Sequence, residues 1–157
     1  MLTPQAHAAI GAWARLMGAH AEMTRAFNAR LHAASGLTVT DFEVLRRLGA
    51  APDGVMRRVD LAHAVGLTPS GITRLLDGLQ RSGLVCKREC ASDARVTYAA
   101  ITADGRRALQ DAAEVHLTGL VALFDEHFSE DELATLAELL GRLPGAEEAD
   151  GSCPTTS

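Results

Sequence analysis

From Ile10 onward, side chains that suit a buried face recur at steps of three and four, at Ile10, Trp13, Met17, His20, Thr24, Phe27 and Leu31. That is the period of one helix face. Thr3 before Pro4 supplies an N-cap with proline at the first helical position, and Gly36 supplies a stop, so the spacing predicts one long helix over 3–34. A small domain cannot cover so long an apolar stripe by itself, which directs the surplus toward a second subunit.

The next segments are short. Thr40 and Glu43 have capping-box spacing, with Val39 and Val44 placed as a hydrophobic staple, and a helix to about Leu48 is expected to turn Phe42, Leu45 and Leu48 inward. AAPDG breaks it. A helix from Arg58 to Val65, with Leu61, Ala62 and Val65 inward, stops at Gly66, and Pro69 opens another. Two short helices joined by a tight glycine-containing turn are the signature of a helix-turn-helix.

After Gly83 the period changes from helix to strand. LVCKREC (84–90) and VTYAAI (96–101), joined by the polar ASDAR, read as a two-stranded hairpin. Helical signals then resume: Thr102 caps a helix to about Phe128, and Ser129 with Glu132 forms a capping box. That box opens a helix expected to turn Leu133, Leu136, Leu139, Leu140 and Leu143 inward until Pro144-Gly145. The AEEADGSCPTTS tail is expected to be disordered.

On a helical wheel, the helix opened by Pro69 separates Ile72, Leu75, Leu76 and Leu79 from Ser70, Thr73, Arg74, Asp77, Gln80 and Arg81. The first group docks the helix. The second offers hydroxyls near the N-terminus and arginines further along, which suits phosphates and base edges, and Gly71 is expected to let the first turn approach a partner closely. An α-helix fits a DNA major groove and presents its N-terminal residues to the bases. The hairpin that follows makes the motif a winged helix-turn-helix, with Arg95 at the tip placed to reach a minor groove.

Charge changes the picture through its distribution. The whole chain carries a net charge of −5, which taken alone argues against a nucleic-acid partner. Between Met56 and Arg95, however, seven basic residues face four acids, while between Asp104 and Asp150 twelve acids face three bases. A basic middle in an acidic chain fits one face approaching phosphates. Length and the scarcity of aromatic residues fit one mainly α-helical unit. No apolar run is long enough to span a membrane and the N-terminus lacks a signal-peptide pattern, so a cytoplasmic location is expected.

The run from about Gly36 to Gly105 resembles the MarR family of bacterial transcription regulators. The residues that carry it are LAHAVGLTPSGITRLLDGLQRSGLV, the wing segment KRECASDARVTYAAIT, and ADGRRAL at the next helix. The resemblance implies a mainly α fold with a β-hairpin wing. In it 1–35 and 103–144 form a helical dimerisation region, 36–102 a winged helix-turn-helix, and 145–157 a tail. It implies a homodimer on a pseudo-palindromic operator, repressing transcription until a small-molecule effector binds. Ser70, Thr73 and Arg74 then contact the major groove, and Asp93 pairs with Arg95 or a nearby arginine to hold the wing. Arg57, Arg58, Arg81 and Lys87 are candidates for phosphate contacts.

An effector site is expected where Trp13, Met17, His20, Phe42 and Leu45 converge, because an apolar cavity with one polar group is a typical binding site. No cofactor is called for: the six histidines show no tight zinc spacing, and neither a nucleophile elbow nor a phosphate-binding glycine loop supports an enzyme. Cys86 and Cys90 are four residues apart, about 13 Å in an extended strand, too far to bond to each other. The family's peroxide sensors use a cysteine in the first helix, where this chain has none. Two other readings stay open, a winged-helix module for protein contacts and an oxidant sensor working through Cys86 or Cys90, and the tail Cys153 forms links in air at most.

Overall fold

The computed structural model describes residues 3–89 and 96–145. The first helix, α1 (Pro4–Ser35), begins where the Thr3 side chain accepts a hydrogen bond from the Ala6 amide and ends at Gly36, whose φ of 73° lets the backbone turn left-handed. Its packing is confined to the C-terminal part. Phe27 and Leu31 are buried there, while Ile10, Trp13 and Met17 are exposed, Trp13 by 64%.

Helix α2 (Val39–Ala50) starts two residues earlier than its sequence signal. The cap is Thr38, which accepts from the Asp41 amide, while the Asp41 carboxylate accepts from the Thr38 amide at 2.9 Å. Leu37 and Phe42, the staple positions of this register, are both buried in the core, as are Val44, Leu45 and Leu48. Glu43 is therefore released from capping and binds Arg46 and Arg47 instead.

A 3-10 turn (Pro52–Gly54) leads into a strand that periodicity does not reveal, β1 (Val55–Arg57). Asp53 and Gly54 both have positive φ, 57° and 69°, which makes the tight turn possible. Helix α3 (Arg58–Ala64) follows directly, buries Leu61 and Ala62, and gives way at Gly66 to α4 (Pro69–Arg81), capped by Thr68. Strands β2 (Val85–Glu89) and β3 (Thr97–Ile101) are antiparallel, and β3 also pairs with β1, so the wing belongs to a three-stranded sheet of order β1-β3-β2. The connection from 90 to 95, with Cys90, Asp93 and Arg95, lies outside the described residues, as does the tail from 146 with Cys153.

Helix α5 (Ala103–His127) is tied by its capping residue to the turn between α4 and β2. Thr102 caps it by accepting from the Gly105 amide, donates its hydroxyl to the Gly83 carbonyl at 2.7 Å, and donates its amide to the Leu84 carbonyl at 3.1 Å. Gly105 packs so closely on the chain at Leu84 that a Cβ there would overlap the Leu84 carbonyl and lie 2.8 Å from Ile101. The rest of α5 lies against α1 and α2.

Helix α6 (Glu130–Gly141) opens with the expected Ser129 and Glu132 box. Its leucines do not turn inward within the chain: none of its residues is buried, and Leu139, Leu140 and Leu143 are exposed. A row of leucines cannot distinguish an intramolecular core from a surface kept for another subunit, because both satisfy the same period.

Candidate nucleic-acid interface

Helix α4 is held by its apolar side. Ile72, Leu76 and Leu79 are buried, and Leu75 is half-buried against the same core. This docking aims the opposite side at solvent. Ser70, Arg74, Asp77 and Arg81 fall in one row along it, since steps of four, three and four return to the same face over about 16 Å of helix.

Each side chain of that face has a local setting. The Ser70 hydroxyl lies 3.3 Å from the Thr68 hydroxyl and is exposed. Thr73 is half-buried and donates its hydroxyl to the Pro69 carbonyl at 2.8 Å, so toward a base it offers a methyl group and lone pairs rather than a proton. Arg74 and Arg81 are exposed. Gly71 serves the chain itself: a Cβ would stand 3.1 Å from the Thr68 hydroxyl, whose oxygen accepts from the Gly71 amide, so the glycine makes room for the cap.

The flanking cations come from neighbouring elements. Arg57 ends β1 and is exposed, and Arg58 opens α3 and is half-buried. Lys87, on β2, is engaged by the Asp77 carboxylate of α4 in an ion pair. The hydrogen bond from Lys87, with the charges of Lys87, Arg81 and Arg58 prevailing over slight desolvation, holds the Asp77 carboxyl below its ordinary value. This pair escapes sequence reading because its members are ten residues apart on a helix and a strand.

The model of the MarR family matches residues 35–96 of this chain. The transcriptional repressor YetL of Bacillus subtilis is 32% identical over 111 residues, which cover 71% of this chain and 66%, just under two thirds, of that protein. The MarR family transcriptional regulator AbsC of Streptomyces coelicolor superposes with a TM-score of 0.77 at 26% identity, over 97% of this chain and 99% of its own. The chain belongs to the MarR family. The M. tuberculosis regulator MOSR, solved in complex with DNA, is also similar, with a TM-score of 0.66 and 27% identity over 83% of this chain and 92% of its own.

The effector residues expected in this MarR-family chain are not gathered. Phe27 and Phe42 each stand 4.9 Å from the His116 ring, so Phe42 lies beside Phe27 of α1. Trp13, Met17 and His20 are exposed residues further up α1, about 21, 15 and 10 Å away along its axis. Leu45 is fully buried in the core. Within one chain the helical stripe does not gather these residues, because a helix longer than its domain carries one stripe past two different environments.

Two open clefts have other linings. One, of about 430 Å³, is bounded by Arg47, Pro52, Met56, Arg57, Asp60 and Tyr98; the other, of about 610 Å³, lies between α1 and α5 beside Arg30, Ala34, Glu114 and Thr118. His116, which no spacing in the sequence singles out, has a buried Nδ1 with no hydrogen-bond partner among the described residues. Burial lowers its pKa, and the Glu43 charge offsets this only in part. Glu43 itself is pushed up by burial, but hydrogen bonds and charge from Arg46 and Arg47 outweigh that and leave its carboxyl below the ordinary value. Cys86 is a half-buried free thiol on β2, opposite Ala100 of β3.

Proposed function

We propose that the protein is a cytoplasmic, homodimeric regulator of transcription that reads a pseudo-palindromic operator with α4 and represses until a small molecule binds. The observation that carries this reading is the two-sided build of α4. Its apolar side is locked into the core by Ile72, Leu76 and Leu79, while Ser70, Thr73 and Arg74 are offered outward at its N-terminal end. Arg57, Arg58 and Arg81 flank that face as phosphate contacts. The exposed apolar residues of α1 and α6 supply the pairing surface. Repression follows the name of the Bacillus relative, and no helix of the described residues is long and apolar enough to cross a membrane.

The test is fluorescence anisotropy on a duplex from upstream of the protein's own gene and on a scrambled duplex, at two salt concentrations. The expected result is salt-sensitive binding, tighter to the upstream duplex by about 10³-fold or more. Equal, weak and salt-insensitive binding to both would instead favour the protein-contact module. With the assay in hand, release by candidate small molecules tests the effector step.

A further inference from the structure

An acid in the middle of a face that meets phosphates needs a reason. Asp77 follows Arg74 by one turn in the outward row of α4, where its charge would repel a nearby phosphate by about 1 kcal/mol at 4 Å even in water. Fold stability does not supply the reason. The side chains of Asp77 and Lys87 keep 43% and 35% of their exposure, and such exposed pairs contribute about 0–1 kcal/mol, whereas the buried side of α4 already fixes the helix.

What the pair does change is the placement of charge. Lys87 projects from β2, and Asp77 draws its ammonium onto α4, with Arg58 and Arg81 also near enough to act on the same carboxylate. A cation engaged by a protein carboxylate does not displace counterions from DNA. The sequence-independent part of binding grows with the number of phosphates neutralised, while base contacts carry the discrimination.

We propose that Asp77 is a positioning residue of the reading face that tempers sequence-independent binding through Lys87: it holds that ammonium on α4 and lowers the attraction for any duplex alike. The proposal rests on the DNA-reading function above. Contacts from Ser70, Thr73 and Arg74 are left intact by the pair, so base contacts carry a larger share of the binding that remains, while the ratio of operator to background binding is unchanged.

The experiment measures binding to a scrambled duplex across a salt series for the full chain, Asp77→Asn, Lys87→Gln, the double variant and Asp77→Glu, with circular dichroism as the check on folding. Asp77→Asn is expected to bind more tightly and to steepen the log–log salt slope by about 0.9, a further ~3.5-fold loss of affinity between about 50 and 200 mM salt. Adding Lys87→Gln is expected to cancel that gain, and Asp77→Glu to retain the original slope. A slope unchanged in Asp77→Asn, or a gain that survives in the double variant, would overturn the role of the pair while leaving DNA binding in place. Absence of salt-sensitive binding by the unaltered chain would overturn the DNA-reading function, and this inference with it.

Discussion

The imidazole of His116 lies 4.9 Å from the ring of Phe42, which joins the middle of α5 to the first turns of α2. Phe27 closes on the same imidazole from α1, edge toward face, so three helices meet on one titratable side chain. Burial there disfavours the charged form, while the unfolded chain leaves the group near its ordinary value of 6.5. Between those two values the unfolded state holds a proton that the folded state resists, so stability falls as pH drops.

Thermal melts from about pH 7.5 to pH 5.5 are expected to show that decline, setting in as pH falls through the ordinary histidine value of 6.5. His116→Leu is expected to flatten it. The Glu43 carboxyl, held below its ordinary value, adds a separate loss only at more acidic pH, as it is protonated, so a decline unaffected by His116→Leu would assign the limb elsewhere.

Gly105 and Gly78 are expected to respond to alanine in opposite directions. A methyl at Gly105 would overlap the Leu84 carbonyl, a backbone atom that cannot swing aside, and denaturant unfolding should show a loss of about 1–3 kcal/mol or more. At Gly78, inside α4, the nearest atom to a new Cβ is the flexible end of Arg81 at 3.9 Å. Gly78→Ala should therefore stabilise by about 0.5–1 kcal/mol through the helix backbone.

Thr38→Ala is expected to cost about 1 kcal/mol and Thr40→Ala less, because only Thr38 caps α2. The sequence here is ambiguous for a physical reason: Thr38 with Asp41 and Thr40 with Glu43 both have the box spacing. Contacts outside the two boxes select between them. Asn28 of α1 accepts from the Val39 amide at 2.7 Å, and Arg46 and Arg47 take up Glu43. Chemical denaturation of the two variants ranks the caps directly.

Arg74→Ala should lower operator affinity by about 1–3 kcal/mol and blur sequence preference. Arg58→Ala should weaken binding to all duplexes alike and reduce the salt slope by about one. Titrations against single-base operator variants separate the two behaviours, and the reverse pattern would move base reading away from α4.

Trp13→Glu combined with Leu140→Glu is expected to convert the dimer to monomer, since both residues are exposed apolar side chains on the helices proposed to pair. Sedimentation velocity reads the change. A dimer that withstands both charges would place the pairing surface elsewhere.

What could be read from the chain follows how local each signal is. The helices α1, α4, α5 and α6 announce themselves through Thr3, Thr68-Pro69, Thr102 and Ser129, residues adjacent to the amides they cap. Strand β1 is only three residues long, too short for any period, and exists because β3 has an edge to pair with. The division of α4 into a buried and an outward side is legible from the helical wheel. The Asp77 and Lys87 pair, and the setting of His116 between Phe27 and Phe42, arise from packing between elements and leave no mark in spacing.

Thr102 gives the molecule a mechanical property. Its hydroxyl and amide grip the two carbonyls that follow α4 while its own position starts α5, so a single residue is the pivot shared by both helices. With Gly105 seated against the Leu84 backbone there is no slack at that pivot. The end of α4 and the start of α5 therefore share one fixed junction, held by backbone and side chain together, in place of a flexible linker.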